Sequence, residues 1–179
     1  MKNTEILIAG FGGQGILFSG KFLAYKGLMD DIQVSWLPSY GPEMRGGTAN
    51  CSVILSDLPV GSPIITSPDV LIAMNLPSLQ KYVDSVVSGG QIYVDSSLID
   101  AKVERDDVQV FYIPATQMAK DAGIASLANM IIVGHLLENH PELSFVGAKE
   151  VVEKLVPPKK EALKELNMKA LSLGKEYKK

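Results

Sequence analysis

Short apolar runs alternate with helical spacings through the first two-thirds of the chain, the pattern of a sheet whose strands are joined by helices. Ile6, Leu7, Ile8 and Ala9 form an unbroken apolar run that stops at glycines, as a strand buried on both faces does. After Gly15, the residues Ile16, Leu17, Phe22, Leu23 and Leu28 recur at helical spacing until Asp30 and Asp31 close the segment. Residues 33–37 and 50–55 read as strands, and the proline and glycine between them leave no room for a crossover helix. A parallel connection within one sheet needs a dozen or more residues, usually helical, so this pair is predicted to be antiparallel or bridged by a long functional loop, in a mixed sheet. The Pro-rich residues 59–68, after a turn at Ser56-Asp57, are expected to form a hairpin return ahead of a core strand at Val70, Leu71, Ile72, Ala73 and Met74. A helix follows with Ser78 as N-cap, Leu79, Val83, Val86 and Val87 as its buried stripe and Gly89-Gly90 as its stop. Residues 91–95 and 108–113 are two further strands. From Ala115 the chain is predicted helical as far as Pro141, with Leu127, Met130, Ile131 and Leu137 on one face. Residues 144–155 make a short helix, and Pro158 sits in the first turn of a last one. That helix sets Leu163, Leu166, Ala170, Leu173 and Tyr177 on a docked stripe and the lysines between Lys159 and Lys179 on a solvated face.

Composition narrows the function classes. Of the 179 residues 46% are hydrophobic and 21% charged, with a net charge of -3, so enough surface can be buried to offset the entropy of folding. Lys and Arg number 17 against 20 Asp and Glu, without the basic excess of a protein that wraps nucleic acid. Cys51 is the only cysteine, which rules out an internal disulfide, a multi-thiolate zinc site and an iron–sulfur cluster, and fits a reducing cytoplasm. The first apolar segment is too short and too broken by glycine for a signal sequence or a membrane span. A soluble, cytoplasmic protein without nucleic acid or membrane partners is expected.

Gly10-Phe11-Gly12-Gly13-Gln14-Gly15 is a G-x-G-x-x-G between a strand and a helix. Glycines let the backbone turn sharply and approach a ligand, and the free N–H groups of a helix N-terminus favour a phosphate or carboxylate. Three uses fit: a dinucleotide site, another anionic or subunit-facing site, or turn sterics alone. The dinucleotide use requires an acid at the end of strand two to hold a ribose, and that strand ends Ser35-Trp36-Leu37-Pro38. The overlapping G-x-x-x-x-G-K spacing from Gly15 to Lys21 fails as a P-loop because Phe22 stands where the metal-binding hydroxyl is needed. Pro38-Ser39-Tyr40-Gly41-Pro42-Glu43-Met44-Arg45-Gly46-Gly47-Thr48 places an acceptor, Glu43, and a five-donor fork, Arg45, between two turn-forming pairs; it serves either a site or a local ion pair. Nothing supports nucleophilic or metal catalysis by this chain. His135 lies in a helix, His140 precedes Pro141, and neither is placed beside Cys51 or a motif serine.

Taken together, the Gly10-Phe11-Gly12-Gly13-Gln14-Gly15-Ile16 turn, the Ser39-Tyr40-Gly41-Pro42-Glu43-Met44-Arg45-Gly46-Gly47 loop, and Asn129-Met130 with Gly134 on the late helix form a rare combination. It resembles the gamma subunit, or gamma domain, of the 2-oxoacid:ferredoxin oxidoreductases over nearly the whole chain. The resemblance implies a single gamma-type domain over residues 1–179, of α/β class: a Rossmann-like three-layer sandwich with a mixed, mostly parallel sheet and a C-terminal helix. It also implies a complex that oxidatively decarboxylates a 2-oxoacid (2-oxoglutarate, a branched-chain 2-oxoacid or pyruvate) to its acyl-CoA and reduces ferredoxin. Thiamine diphosphate with its Mg, and the iron–sulfur clusters, are then expected on partner chains: alpha and thiamine-binding beta subunits and a ferredoxin-like delta subunit. This chain is expected to be inactive alone. Gly10, Gly12, Gly13, Gln14, Gly15, Ser39, Tyr40, Gly41, Glu43, Arg45, Gly46 and Gly47 are the expected residues facing partners and coenzyme A. A stand-alone coenzyme-binding module and the corresponding chain of an indolepyruvate:ferredoxin oxidoreductase are the alternatives.

Overall fold

The computed structural model describes residues 3–40 and 48–178. Six strands, β1 (Asn3–Phe11), β2 (Gln33–Tyr40), β3 (Thr48–Ser56), β4 (Val70–Ala73), β5 (Gln91–Asp95) and β6 (Gln109–Ile113), form one sheet in the order β2-β3-β1-β4-β5-β6. The pairs β1 with β4, β4 with β5 and β5 with β6 are parallel, and β3 alone runs against both its neighbours, β1 and β2. The mixed, mostly parallel sheet and the antiparallel β2–β3 pair are as the sequence predicts. The β3 residues lie between β1 and β2, so the helix connecting β1 to β2, α1 (Ile16–Met29), crosses one intervening strand.

Helices cover both faces. On one face α1, α4 (Ala128–Asn139), α5 (Ala148–Leu155) and α6 (Glu161–Glu176) pack on Ile6, Ile8, Val53, Leu55, Val70, Ile72 and Tyr93. On the other, α2 (Leu76–Tyr82) and the residues after β5 pack Leu79, Val86 and Ile99 on Leu7, Leu71, Ile92 and Val94. The centre of β1 and all of β4 and β5 are buried on both faces because both are covered.

Several details differ from the sequence expectation, among them the end of α2, which stops at Tyr82 and passes into a 3-10 turn (Val83–Ser85), so that Val86, Val87 and Gly89-Gly90 lie beyond the helix. Residues 57–69 contain no strand, so the hairpin return is absent and β3 passes to β4 through an irregular Pro-rich connection. The α2 N-cap is Asn75, whose side chain accepts the Ser78 N–H at 2.8 Å, with Pro77 in the first turn; Ser78 lies inside the helix. The predicted helix from Ala115 is two helices, α3 (Ala115–Asp121) and α4. Gly123 at φ 73° ends α3, with Ile124 N donating to Ala119 O at 2.8 Å and Gly123 N to Lys120 O at 3.0 Å, a Schellman closure. Finally, α5 starts at Ala148 because Gly147 before it takes φ 80°, leaving residues 144–147 outside the helix.

The C-terminal helix docks along most of the predicted stripe, with Leu166, Ala170, Leu173 and Tyr177 packed against the core, and its most deeply buried positions are mainly small residues. Its buried residues are Asn167, Ala170, Leu171 and Gly174, whereas Leu163 stays exposed. The cause is the closeness of α4: a Cβ on Gly134 would strike the carbonyl oxygen of Leu171, and one on Gly174 would strike that of Ile131. Two backbones in such contact select small residues, and α4 is buried all round from Ala128 to Leu137 because it is enclosed.

Candidate functional site

A parallel α/β sheet opens a crevice where neighbouring strands send their connecting helices to opposite faces. Here that place lies between β1 and β4: α1 follows β1 on one face and α2 follows β4 on the other. The glycine turn fills the β1 side of the crevice. Gly10 is buried at the strand end, and a Cβ there would lie 2.6 Å from Gln14 Oε1 and 2.8 Å from Ile16 Cδ1, so any larger residue would displace the Gln14 amide. Gly13 (φ 96°) and Gly15 (φ 77°) take left-handed backbone. No atom lies within 4 Å of a Cβ built on Gly13, which is exposed, whereas one on Gly15 would lie 2.6 Å from the Asn129 amide.

Gln14 closes the turn. Its Oε1 accepts the Phe11 N–H at 2.6 Å and its Nε2 donates to Met74 O at 2.9 Å, tying the end of β1 to the end of β4. From the other face Asn129 Nδ2 donates to Gly15 O at 3.2 Å and to Ser19 Oγ at 3.0 Å. Helix α1 starts at Gly15 without a side-chain cap and without an acidic residue in its first turn. Among the described residues no side chain thus competes with an anion for its first N–H groups and positive dipole end.

The second motif reaches the same end of the sheet. Phe11 pairs with Thr48 and Tyr40 with Ala49, so the strand ends that bracket the loop stand beside the glycine turn. Ser39 is exposed on β2 opposite Asn50, and Tyr40 ends that strand. Gly41, Glu43, Arg45, Gly46 and Gly47 lie outside the described residues. Beside Thr48 a small cleft is lined by Asn50, Ser78, Lys81 and Tyr82. Asn50 Nδ2 donates to Tyr82 Oη at 3.4 Å, and Lys81 Nζ stands 4.9 Å from the Tyr82 ring centre.

The remaining candidate groups are structural. Cys51 is fully buried, donates to Ile16 O at 3.4 Å, and has its thiol pushed up to about 12 by burial, so no thiolate forms near neutral pH. His135 is buried among the rings of Tyr93, Phe111 and Tyr177, with Nδ1 3.0 Å from Gly174 O; burial lowers its pKa and keeps it neutral. The residues of the near P-loop from Ile16 onward form the body of α1. Among the described residues no group of three or more His, Cys, Asp and Glu is placed to hold a metal, and no helix is long and apolar enough to cross a membrane. The sequence reading left Asn75, Asn129 and the Met74 carbonyl out of the site. Asn129 carried a signal, a lone amide within the apolar run from Ala128 to Val133, but its partner lies 114 residues away.

The sequence profile of the pyruvate ferredoxin/flavodoxin oxidoreductase family matches residues 5–177. The chain belongs to this family. It is 38% identical over 178 residues to the ketoisovalerate oxidoreductase subunit VorA of Methanothermobacter thermautotrophicus, covering 97% of this chain and 36% of VorA, so it spans about a third of that relative. It is 37% identical over 179 residues to the 2-oxoglutarate synthase subunit KorC of Methanothermobacter marburgensis, covering 96% of this chain and 95% of KorC. Among solved structures it is similar to the gamma subunit of a keto/oxoacid ferredoxin oxidoreductase from Geobacter sulfurreducens, with a TM-score of 0.80, 32% identity and coverage of 96% and 95%. It is also similar to the 2-oxoglutarate:ferredoxin oxidoreductase of Magnetococcus marinus, solved with 2-oxoglutarate, coenzyme A and succinyl-CoA, with a TM-score of 0.87, 27% identity, and coverage of 98% of this chain and 31% of that one.

Proposed function

We propose that this chain is the gamma subunit of a multi-subunit 2-oxoacid:ferredoxin oxidoreductase, and that the crevice at the ends of β1 and β4 contributes to coenzyme A binding where the chain meets its partners. The end-to-end match to KorC carries the first part: a chain of the same extent is a separate subunit there, while in VorA the matching stretch is one part of a longer chain. The second part rests on the exposed left-handed Gly13 and the start of α1, which has no side-chain cap and offers backbone donors to a phosphate-bearing ligand; Lys81 lines the cleft beside Thr48, the strand partner of Phe11. A solved relative binding coenzyme A and succinyl-CoA is compatible with this ligand class.

The residues fit a division of labour. Thiamine diphosphate with its Mg, and the iron–sulfur clusters, need clustered acidic or thiolate ligands, and the buried Cys51 is the sole thiol here. In this reading those groups sit on alpha, beta and delta partner chains, and ferredoxin is the acceptor. The side chains of this subunit orient the acyl acceptor and exclude water. Ser39 and Tyr40 at the end of β2, and Glu43 and Arg45 in the sequence that follows, are assigned to the same role because β2 and β3 end beside the glycine turn. Co-expression with the thiamine-binding and ferredoxin-like chains tests the reading. Expected is a stable complex whose 2-oxoacid- and coenzyme A-dependent reduction of ferredoxin is lost when this chain is omitted. Full activity without it would overturn the assignment.

A further inference from the structure

We propose that Asn129 is a positioning residue: from α4 it sets the backbone of the glycine turn, and so the direction in which the α1 amides face, for the coenzyme A site of the reading above. Gly15 O accepts from two donors, Ser19 N at 3.0 Å within α1 and Asn129 Nδ2 at 3.2 Å from α4. The same Nδ2 donates to Ser19 Oγ at 3.0 Å, so one amide spans the whole first turn of α1. Its contact with the glycine is close: a Cβ on Gly15 would lie 2.6 Å from both Cγ and Nδ2 of Asn129. The left-handed glycine and the asparagine therefore specify each other.

Packing alone does not account for an amide at this place. Asn129 is 3% exposed and its Oδ1 has no hydrogen-bond partner among the described residues. Burying an unpaired acceptor costs stability, and an aliphatic side chain of the same size would fill the space without that cost. What leucine lacks is the donor that holds Gly15 O. Asn129 is itself held in place, because Gly134 on the same helix lies against the backbone of α6 at Leu171. Position is thus passed from α6 through α4 to the turn, while Gln14 holds its other end from β4. Remote residues that fix a binding backbone by buried hydrogen bonds govern how well a ligand is held more than the chemical step.

The test uses Asn129→Leu, which keeps bulk and removes the donor, and Asn129→Asp, which keeps shape and replaces the donor by an acceptor except when protonated. Amide exchange across residues 11–19 is followed by mass spectrometry in the full chain, and KM for coenzyme A and kcat are followed in the assembled complex. Expected for Asn129→Leu are an unchanged or higher melting temperature, exchange faster by about tenfold, and KM for coenzyme A raised by about tenfold with kcat at saturation within about twofold. In Asn129→Asp both effects should shrink as pH falls and the acid regains a proton to donate. Unchanged exchange in both variants overturns the proposal, as does a lower melting temperature in Asn129→Leu with exchange and KM unaltered, which would make Asn129 a packing residue. Faster exchange with unaltered KM in both variants leaves Asn129 as the residue that positions the turn and overturns coenzyme A as its ligand.

Discussion

Two buried acids, the buried His135 and the partly buried His140 set how the fold responds to pH. Burial pushes the Cys51 thiol from 9.0 up to about 12 and raises the Tyr93 phenol from 10.0. Both stay protonated in the fold, whereas the unfolded chain releases those protons above about pH 9 and about pH 10. The unfolded state then binds fewer protons, so stability falls with rising pH, by about 1.4 kcal/mol per unit for each group fully ionised in the unfolded chain. Urea unfolding between pH 8 and pH 10.5 (about the span of these two groups) checks this, and Cys51→Ala should remove the part of the decline that begins near pH 9. On the acid side burial lowers the pKa of His135 and His140, so the unfolded chain takes up protons first and stability falls as pH drops below about 6.5. The turn glycines separate conformation from contact at the same scale. Gly13→Ala meets only backbone strain, about 1 kcal/mol, while Gly15→Ala adds a collision with Asn129 and should cost at least about 2 kcal/mol. Equal losses in thermal unfolding would contradict that contact.

Helix–helix contact is where the stability of the elements concentrates. Gly134 and Gly174 face carbonyl oxygens of Leu171 and Ile131 across the α4–α6 seam, and neither backbone can yield as a flexible side chain would. Gly134→Ala or Gly174→Ala is expected to cost about 3 kcal/mol or more and to loosen α6. The double variant should lose clearly less than the sum, since one substitution already separates the helices. Denaturant titration of the three variants checks both statements, and additive losses would mean that the two contacts are independent. The seam also shows how far the leucine spacing of α6 reaches, since Leu166, Ala170, Leu173 and Tyr177 pack on the core and Leu163 alone of that stripe stays exposed. Periodicity marks the most apolar stripe of a helix, but a docking face is selected by how close its partner comes, and here closeness favours Ala170 and Gly174 over Leu163. The break between α3 and α4 is different in kind, because Gly123 is visible in the sequence as a C-terminal signal and was outweighed by the continuous apolar pattern around it.

At the scale of the whole molecule, the sheet order brings segments distant along the chain to one end. Thr48 and Tyr40, flanking the loop with Glu43 and Arg45, stand beside Phe11 and the glycine turn because β3 inserts between β2 and β1. If that loop serves the complex and is not needed for folding, Arg45→Ala leaves the melting temperature of the subunit nearly unchanged. Turnover with coenzyme A, or assembly, should then fall by at least about tenfold, because removing a guanidinium from a desolvated contact leaves its partner unpaired. Weaker co-purification would mark an interface role and a raised KM for coenzyme A with intact assembly would mark ligand contact, whereas an unfolded subunit would make the loop a folding element. The sequence by itself determined what local interactions control. Runs of apolar residues between glycines have to become buried strands, residues 38–49 cannot hold a crossover helix, and a G-x-G-x-x-G between strand and helix has to make a turn with free amides. Only the tertiary structure decided that α2 is capped by Asn75, that the most deeply buried positions of α6 are mainly small residues, and that Gln14 and Asn129 hold the turn from β4 and α4. The reason is physical: these contacts join residues up to 114 positions apart, and such pairs are selected by packing and by the pairing of buried polar groups after the chain has closed on itself, which no local pattern encodes.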